Sequence, residues 1–136
     1  MANIKVYRNG SWENSGGGQP FNPSYLEKDK TSSVSVGGTW TQIDSINLDA
    51  GTWDISACIG VYGLAANRSI TLNIAINSGD ATCRNCIFLN APTTNVLYNG
   101  VSRIIKLGSP STVYIWGQSD GSATVTQCHV RAARIE

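Results

Sequence analysis

From residue 31 onward, apolar and polar residues alternate along the chain. Trp53, Ile55, Ala57, Ile59 and Val61 share one side of an extended backbone, while Asp54, Ser56, Cys58 and Tyr62 share the other. Ile70, Leu72, Ile74 and Ile76 oppose Thr71, Asn73 and Ala75, and Val113 and Ile115 oppose Tyr114 and Trp116. A period of two with one apolar face is the pattern of antiparallel strands packed on a shared core. It predicts strands over 31–36, 39–48, 52–62, 69–77, 83–89, 95–106, 111–117 and 122–135. Between them lie Gly37-Gly38, Asp49-Ala50-Gly51, Ser78-Gly79-Asp80, Gly108-Ser109-Pro110 and Ser119-Asp120-Gly121. Each supplies positive φ, a preset φ or local side-chain bonding, as turns need. About eight such strands predict an all-β fold, an antiparallel two-sheet jelly-roll sandwich.

The first thirty residues read differently. Ile4-Lys5-Val6-Tyr7-Arg8 alternates, Asn9-Gly10 follows, and Ser11-Trp12-Glu13 returns. Asn-Gly between two such runs is a strong hairpin signal, because a type I′ turn needs positive φ twice. Gly16-Gly17-Gly18, Pro20 and Pro23 then break all periodicity. Tyr25 to Lys30 is charged, and the pattern predicts one helical turn there at most. The expected organisation is a hairpin over 1–13 and a flexible linker over 14–30, together an attachment segment of 1–30. A jelly-roll head follows over 31–136.

Composition agrees with the pattern. There are 13 Ile, 9 Val and 11 Thr against 3 Glu and 4 Lys, and β-branched side chains fit a pleated surface better than a helix. Net charge is +1 with no run of Lys or Arg, which leaves no electrostatic footprint for nucleic acid or an anionic membrane. No apolar run is long enough to insert in a bilayer, and Met1-Ala2-Asn3-Ile4-Lys5 lacks the apolar core of a signal peptide. Cytosolic synthesis is therefore expected. Charged residues make up only 14% of the chain, and the outward faces carry Ser, Thr, Ala, Cys and aromatics. Both features predict that identical copies cover much of the surface.

Candidate chemistry is sparse. Cys83-Arg84-Asn85-Cys86 has zinc-chelating spacing, with Cys58 and Cys128 as further candidates. In a strand, however, residues three apart point to opposite faces. The reading favoured here is unpaired thiols in the core or at an interface, with no cofactor and no metal. His129 is the single histidine and would have to serve any Ser–His or Cys–His mechanism. As the strand neighbour of Cys128 it points away from it, so it reads as a packed or interfacial histidine. Asp44, Asp49, Asp54, Asp80 and Asp120 fall mostly at expected turns, and nothing in their spacing selects a catalytic pair. No phosphate loop, calcium loop or nucleophile elbow is present. The expectation is a protein that is not an enzyme. Trp40, Trp53, Tyr62, Tyr98, Tyr114 and Trp116 could stack on sugars, but interface packing explains the outward ones as well.

The stretch Thr39-Trp40-Thr41-Gln42-Ile43-Asp44-Ser45-Ile46-Asn47-Leu48-Asp49-Ala50-Gly51-Thr52-Trp53 resembles one found in bacteriophage fibre and spike domains. There a strand ends in a Leu-x-Ala-Gly-Thr-aromatic turn and continues as the next core strand. Leu107-Gly108-Ser109-Pro110-Ser111-Thr112-Val113-Tyr114-Ile115-Trp116 and the closing run Gly121–Ile135 are similar to later strands of the same domains. The order of elements also resembles tumour-necrosis-factor-like and complement-type globular heads, which are trimeric jelly rolls. The likeness spans about 40–136 and implies a non-enzymatic homotrimer on a virion surface, made in the host bacterial cytoplasm. Its role would be that of a head fibre, decoration or tail-fibre head. The implied partners are itself, capsid or tail proteins of the virion and a host-surface glycan, with no nucleic acid and no membrane insertion. The expected trimer interface comprises Tyr62, Tyr114, Trp116 and Cys128, and the expected attachment residues are Ile4, Val6, Tyr7 and Trp12. The resemblance also makes the strands of Cys58 and Cys128 neighbours, so the two thiols could face each other. A monomeric carbohydrate-binding jelly roll is the alternative, and a small hydrolase built on His129 is a distant third.

Overall fold

The computed structural model describes residues 5–8, 11–14, 24–77, 84–89 and 96–136. They form eleven strands, with no helix among the described residues. In order these are β1 (Lys5–Arg8), β2 (Ser11–Asn14), β3 (Tyr25–Lys30), β4 (Val34–Val36), β5 (Thr41–Leu48), β6 (Gly51–Tyr62), β7 (Arg68–Ala75), β8 (Arg84–Leu89), β9 (Leu97–Leu107), β10 (Ser111–Ser119) and β11 (Ala123–Arg134). β1 and β2 pair antiparallel, with Tyr7 opposite Trp12, in the hairpin expected around Asn9-Gly10.

The remaining strands make two antiparallel sheets. One is ordered β5-β10-β7-β8, and the other β3-β11-β6-β9 with β4 also pairing β11. Pairing is nested: β3 with β11, β5 with β10, β6 with β9 and β7 with β8. Nesting of this kind is one long antiparallel ribbon rolled on itself, so successive pairs alternate between sheets. The rolled ribbon is sealed where β11 meets β6 and β10 meets β7. This is a jelly-roll sandwich. Its core is the set of inward positions that the alternation marked, among them Trp53, Ile55, Ile59, Ile70, Leu72, Val113 and Ile115, all buried. Trp53 places its ring inside and its indole N–H on the Asp49 carbonyl at 2.9 Å.

Two departures from the sequence reading matter. Tyr25–Lys30 is neither linker nor helical turn but an edge strand, paired with β11 from Ala133 to Cys128. Its inward positions are Leu26, Lys28 and Lys30, opposite Ala132, Val130 and Cys128. The two lysines cross to the edge of the other sheet. Lys28 Nζ lies 2.6 Å from Asp44 Oδ1 and 2.9 Å from the Ser45 carbonyl, and Lys30 Nζ lies 2.8 Å from the Ile43 carbonyl. Asp44, inside the strand expected over 39–48, is thus a buried residue that ties the two sheets together. The second departure is register. A bulge between Val125 and Gln127 sets Cys128 opposite Ile59 and His129 opposite Cys58.

Candidate functional site

The outer face of the five-stranded sheet gathers the chemistry. Cross-strand register lays out its rows. Asp29, His129, Cys58 and Gly100 form one, and Glu27, Arg131, Ser56 and Ser102 the next. Tyr25, Ala133, Asp54 and Ile104 form the third, with Gly60 and Tyr98 paired beyond the bulge. The face has two halves. On the β6–β9 side, Ser56, Cys58, Gly60, Gly100 and Ser102 make an uncharged floor of small residues. Tyr62, Tyr98 and Ile104 stand out from it, 49%, 64% and 62% exposed. On the β3–β11 side the face is charged.

His129 sits at the boundary between the halves. Its Nε2 lies 2.6 Å from Glu27 Oε1, and its Nδ1 bonds Asp29 Oδ1. Both carboxylates come from one face of β3, where residues two apart project side by side. The hydrogen bond to Asp29 holds the imidazolium above the ordinary histidine range, partial burial opposes this, and the charges of Asp29 and Glu27 reinforce it. Cys58, exposed and directly across from His129, makes no hydrogen bond among the described residues. With both ring nitrogens on carboxylates, the imidazole is not placed to activate that thiol. Glu27 and Asp29 occupy opposite ring edges, and among the described residues no three His, Cys, Asp or Glu side chains converge as a metal set. Two shallow hollows meet at Cys58 and His129. One of about 330 Å³ is lined by Ser56, Gly100, Ser102 and Arg131, and one of about 300 Å³ by Asp29, Thr31, Tyr98 and Gln127.

The residues expected at a trimer interface do not come together. Tyr62 is on this face. Cys128 is not on any surface: it lies in the core, 2% exposed, and burial first, then the charge of Asp44, pushes its thiol up to about 12. Cys58 points outward from the same sheet, so the two thiols face opposite ways and both are free. Tyr114 and Trp116 lie on the outer face of the other sheet, half-buried, with ring centroids 5.4 Å apart. The Trp116 indole donates to the Ala75 carbonyl within the chain at 3.2 Å. Val6, Tyr7 and Trp12 belong to the β1–β2 hairpin, whereas Ile4, Cys83 and Asp80 lie outside the described residues. Glu27 and Asp29 were missed as site residues because their strand read as linker.

No protein-family model matches the sequence, and no curated protein matches it. Among solved structures the chain is similar to the crystal structure of the infectious bursal disease virus VP2 subviral particle. The TM-score is 0.51 and the identity 11%, over 97% of this chain and 42% of that one. The structure of the infectious bursal disease virus Gx strain gives 0.49 and 10%, over 98% and 41%. At such identity the likeness is one of fold, and this chain spans less than half of the viral chains it matches.

Proposed function

We propose that this protein is a non-enzymatic structural component of a virus particle. It works as a homotrimeric bacteriophage head fibre, decoration or tail-fibre head, held by its N-terminal segment and taking part in adsorption to the host surface. The observation that carries this reading is the β6–β9 half-face. It is floored by small uncharged residues and crowned by exposed Tyr62, Tyr98 and Ile104, with its charges, Asp54 and Lys106, gathered at the end beside Ile104. Interfaces are depleted in charge and enriched in aromatics. The viral jelly roll it resembles in fold belongs to a subviral particle, which agrees with an assembling role. Self-association then uses the five-stranded sheet, with Tyr62 in the contact and Tyr114 and Trp116 outside it.

Sedimentation of the full chain at micromolar concentration should give a trimer. Ile104→Asp should dissociate it, since a desolvated unpaired charge costs several kcal/mol, about 3–5 where a buried partner is lacking. Trp116→Asp should leave the trimer intact. Removing residues 1–23, which stops short of β3, should spare the trimer and abolish attachment to particles. A monomeric wild type would overturn the reading. It would favour the carbohydrate-binding alternative, for which the hollows beside Tyr98, Gln127 and Arg131 supply a ring to stack on and polar groups to bond hydroxyls.

A further inference from the structure

We infer that His129, Glu27 and Asp29 form a proton-operated latch that locks strand β3, and the N-terminal chain leading into it, onto the five-stranded sheet. β3 is anchored unlike the other sandwich strands whose side chains are described. None of its six side chains is buried, so apolar packing contributes little to holding it. Apart from backbone pairing with β11, it is held by charge on both faces: Lys28 and Lys30 inside, and the histidine cluster outside. Exposed ion pairs are individually weak. On a strand that buries none of its side chains, weak terms carry more weight.

The ring must carry two protons for the latch to close, because each nitrogen faces a carboxylate that can only accept. Losing one proton turns an N–H donor into a lone pair aimed at an anion. The groups facing the ring are Glu27 and Asp29 from β3, Arg131 along β11, Cys58 from β6 and Tyr98 across the hollow from β9. On the inward side of the same strands lie Lys30 and Cys128. Arg131 stands opposite Glu27 across the β3–β11 pair. The folded state binds the proton more tightly than the unfolded chain. The latch therefore contributes fully below the ordinary histidine value, about 6.5, and is lost as pH rises through the higher folded-state value.

Amide exchange of the full chain, corrected for its intrinsic base catalysis and followed from about pH 6 to about pH 9, tests the latch. Protection of β3 should fall several-fold across that range, while protection of β6 stays level. In His129→Gln, β3 should be weakly protected at every pH. Unchanging β3 protection in the wild type, or the same pH dependence in His129→Gln, would overturn the inference. Should His129→Gln fail to fold, the imidazole resonance of the wild type and of Asp29→Asn serves instead. The midpoint should lie above the ordinary value and drop in the variant; an ordinary midpoint in the wild type rules the latch out. The latch operates in a trimer or a monomer, so its failure and that of the proposed assembly are read separately.

Discussion

At the scale of single residues, the run Leu48-Asp49-Ala50-Gly51-Thr52-Trp53 shows why such a turn needs those residues in that order. Leu48 and Trp53 are buried on either side of it, and the Trp53 indole closes it on the Asp49 carbonyl. Gly51 has a φ of 143°, where a side chain is strained, and a β-carbon there would meet Arg134 Nε at 2.6 Å and the Glu136 carbonyl at 3.0 Å. The end of the chain crosses here, with Thr52 N–H donating to the Glu136 carbonyl and Ile135 N–H to that of Thr52. Gly51→Ala should therefore cost about 1–3 kcal/mol from backbone strain before any clash is counted. Urea unfolding with an unchanged slope would measure it; a loss below half a kcal/mol, about the size of an ordinary surface substitution, would contradict the argument. The glycine was legible as a turn residue. The Arg134 side chain and Glu136 carbonyl that crowd its β-carbon were not, since they come from the far end of the chain.

At the scale of elements, the interior strands were legible and the edge strand β3 was not. Core strands such as β6 and β7 announce themselves because their inward positions are apolar. In Tyr25–Lys30 the inward positions hold Leu26, Lys28 and Lys30, so both faces look polar and the period of two disappears. The lysines point inward because Asp44 and two β5 carbonyls await them, a fact of tertiary structure alone. Lys28→Ala should destabilise the sandwich by leaving Asp44, 5% exposed, without its cation. With the lysine end 46% exposed and screened by solvent, the cost should be about 1–2 kcal/mol, short of the about 3–5 of a fully buried pair. Lys28→Ala combined with Asp44→Asn should lose less than Lys28→Ala alone, because no orphaned charge remains. Equal or greater loss in the double variant, read by denaturant unfolding, would mean that the lysine acts through packing. The bulge in β11 was equally hidden, and it is what turns Cys58 and Cys128 away from each other.

At the scale of the whole molecule, alternation separates inside from outside but does not say which outside. Tyr62, Tyr114 and Trp116 all point outward as read, yet they stand on opposite faces of the sandwich, and only the topology of the rolled ribbon parts them. That nested topology also has a consequence in time. The β7–β8 pair spans a short connection, and each pair around it encloses the one before, out to β3 and β11, which bracket nearly the whole head. Closing a loop costs more the longer it is, by about 0.6 kcal/mol per doubling, unless an inner pair has already drawn the ends together. The ribbon should therefore zip from its centre outward, slowly for its size because every pairing beyond the first is non-local. Pulse-labelled exchange during refolding should find β7 protected early and β3 last of all. Early protection of β3 would reverse that order. If the order holds, the strand that completes the fold is also the one held by charge rather than by buried surface, so the last step of folding is the one most open to the solvent's pH.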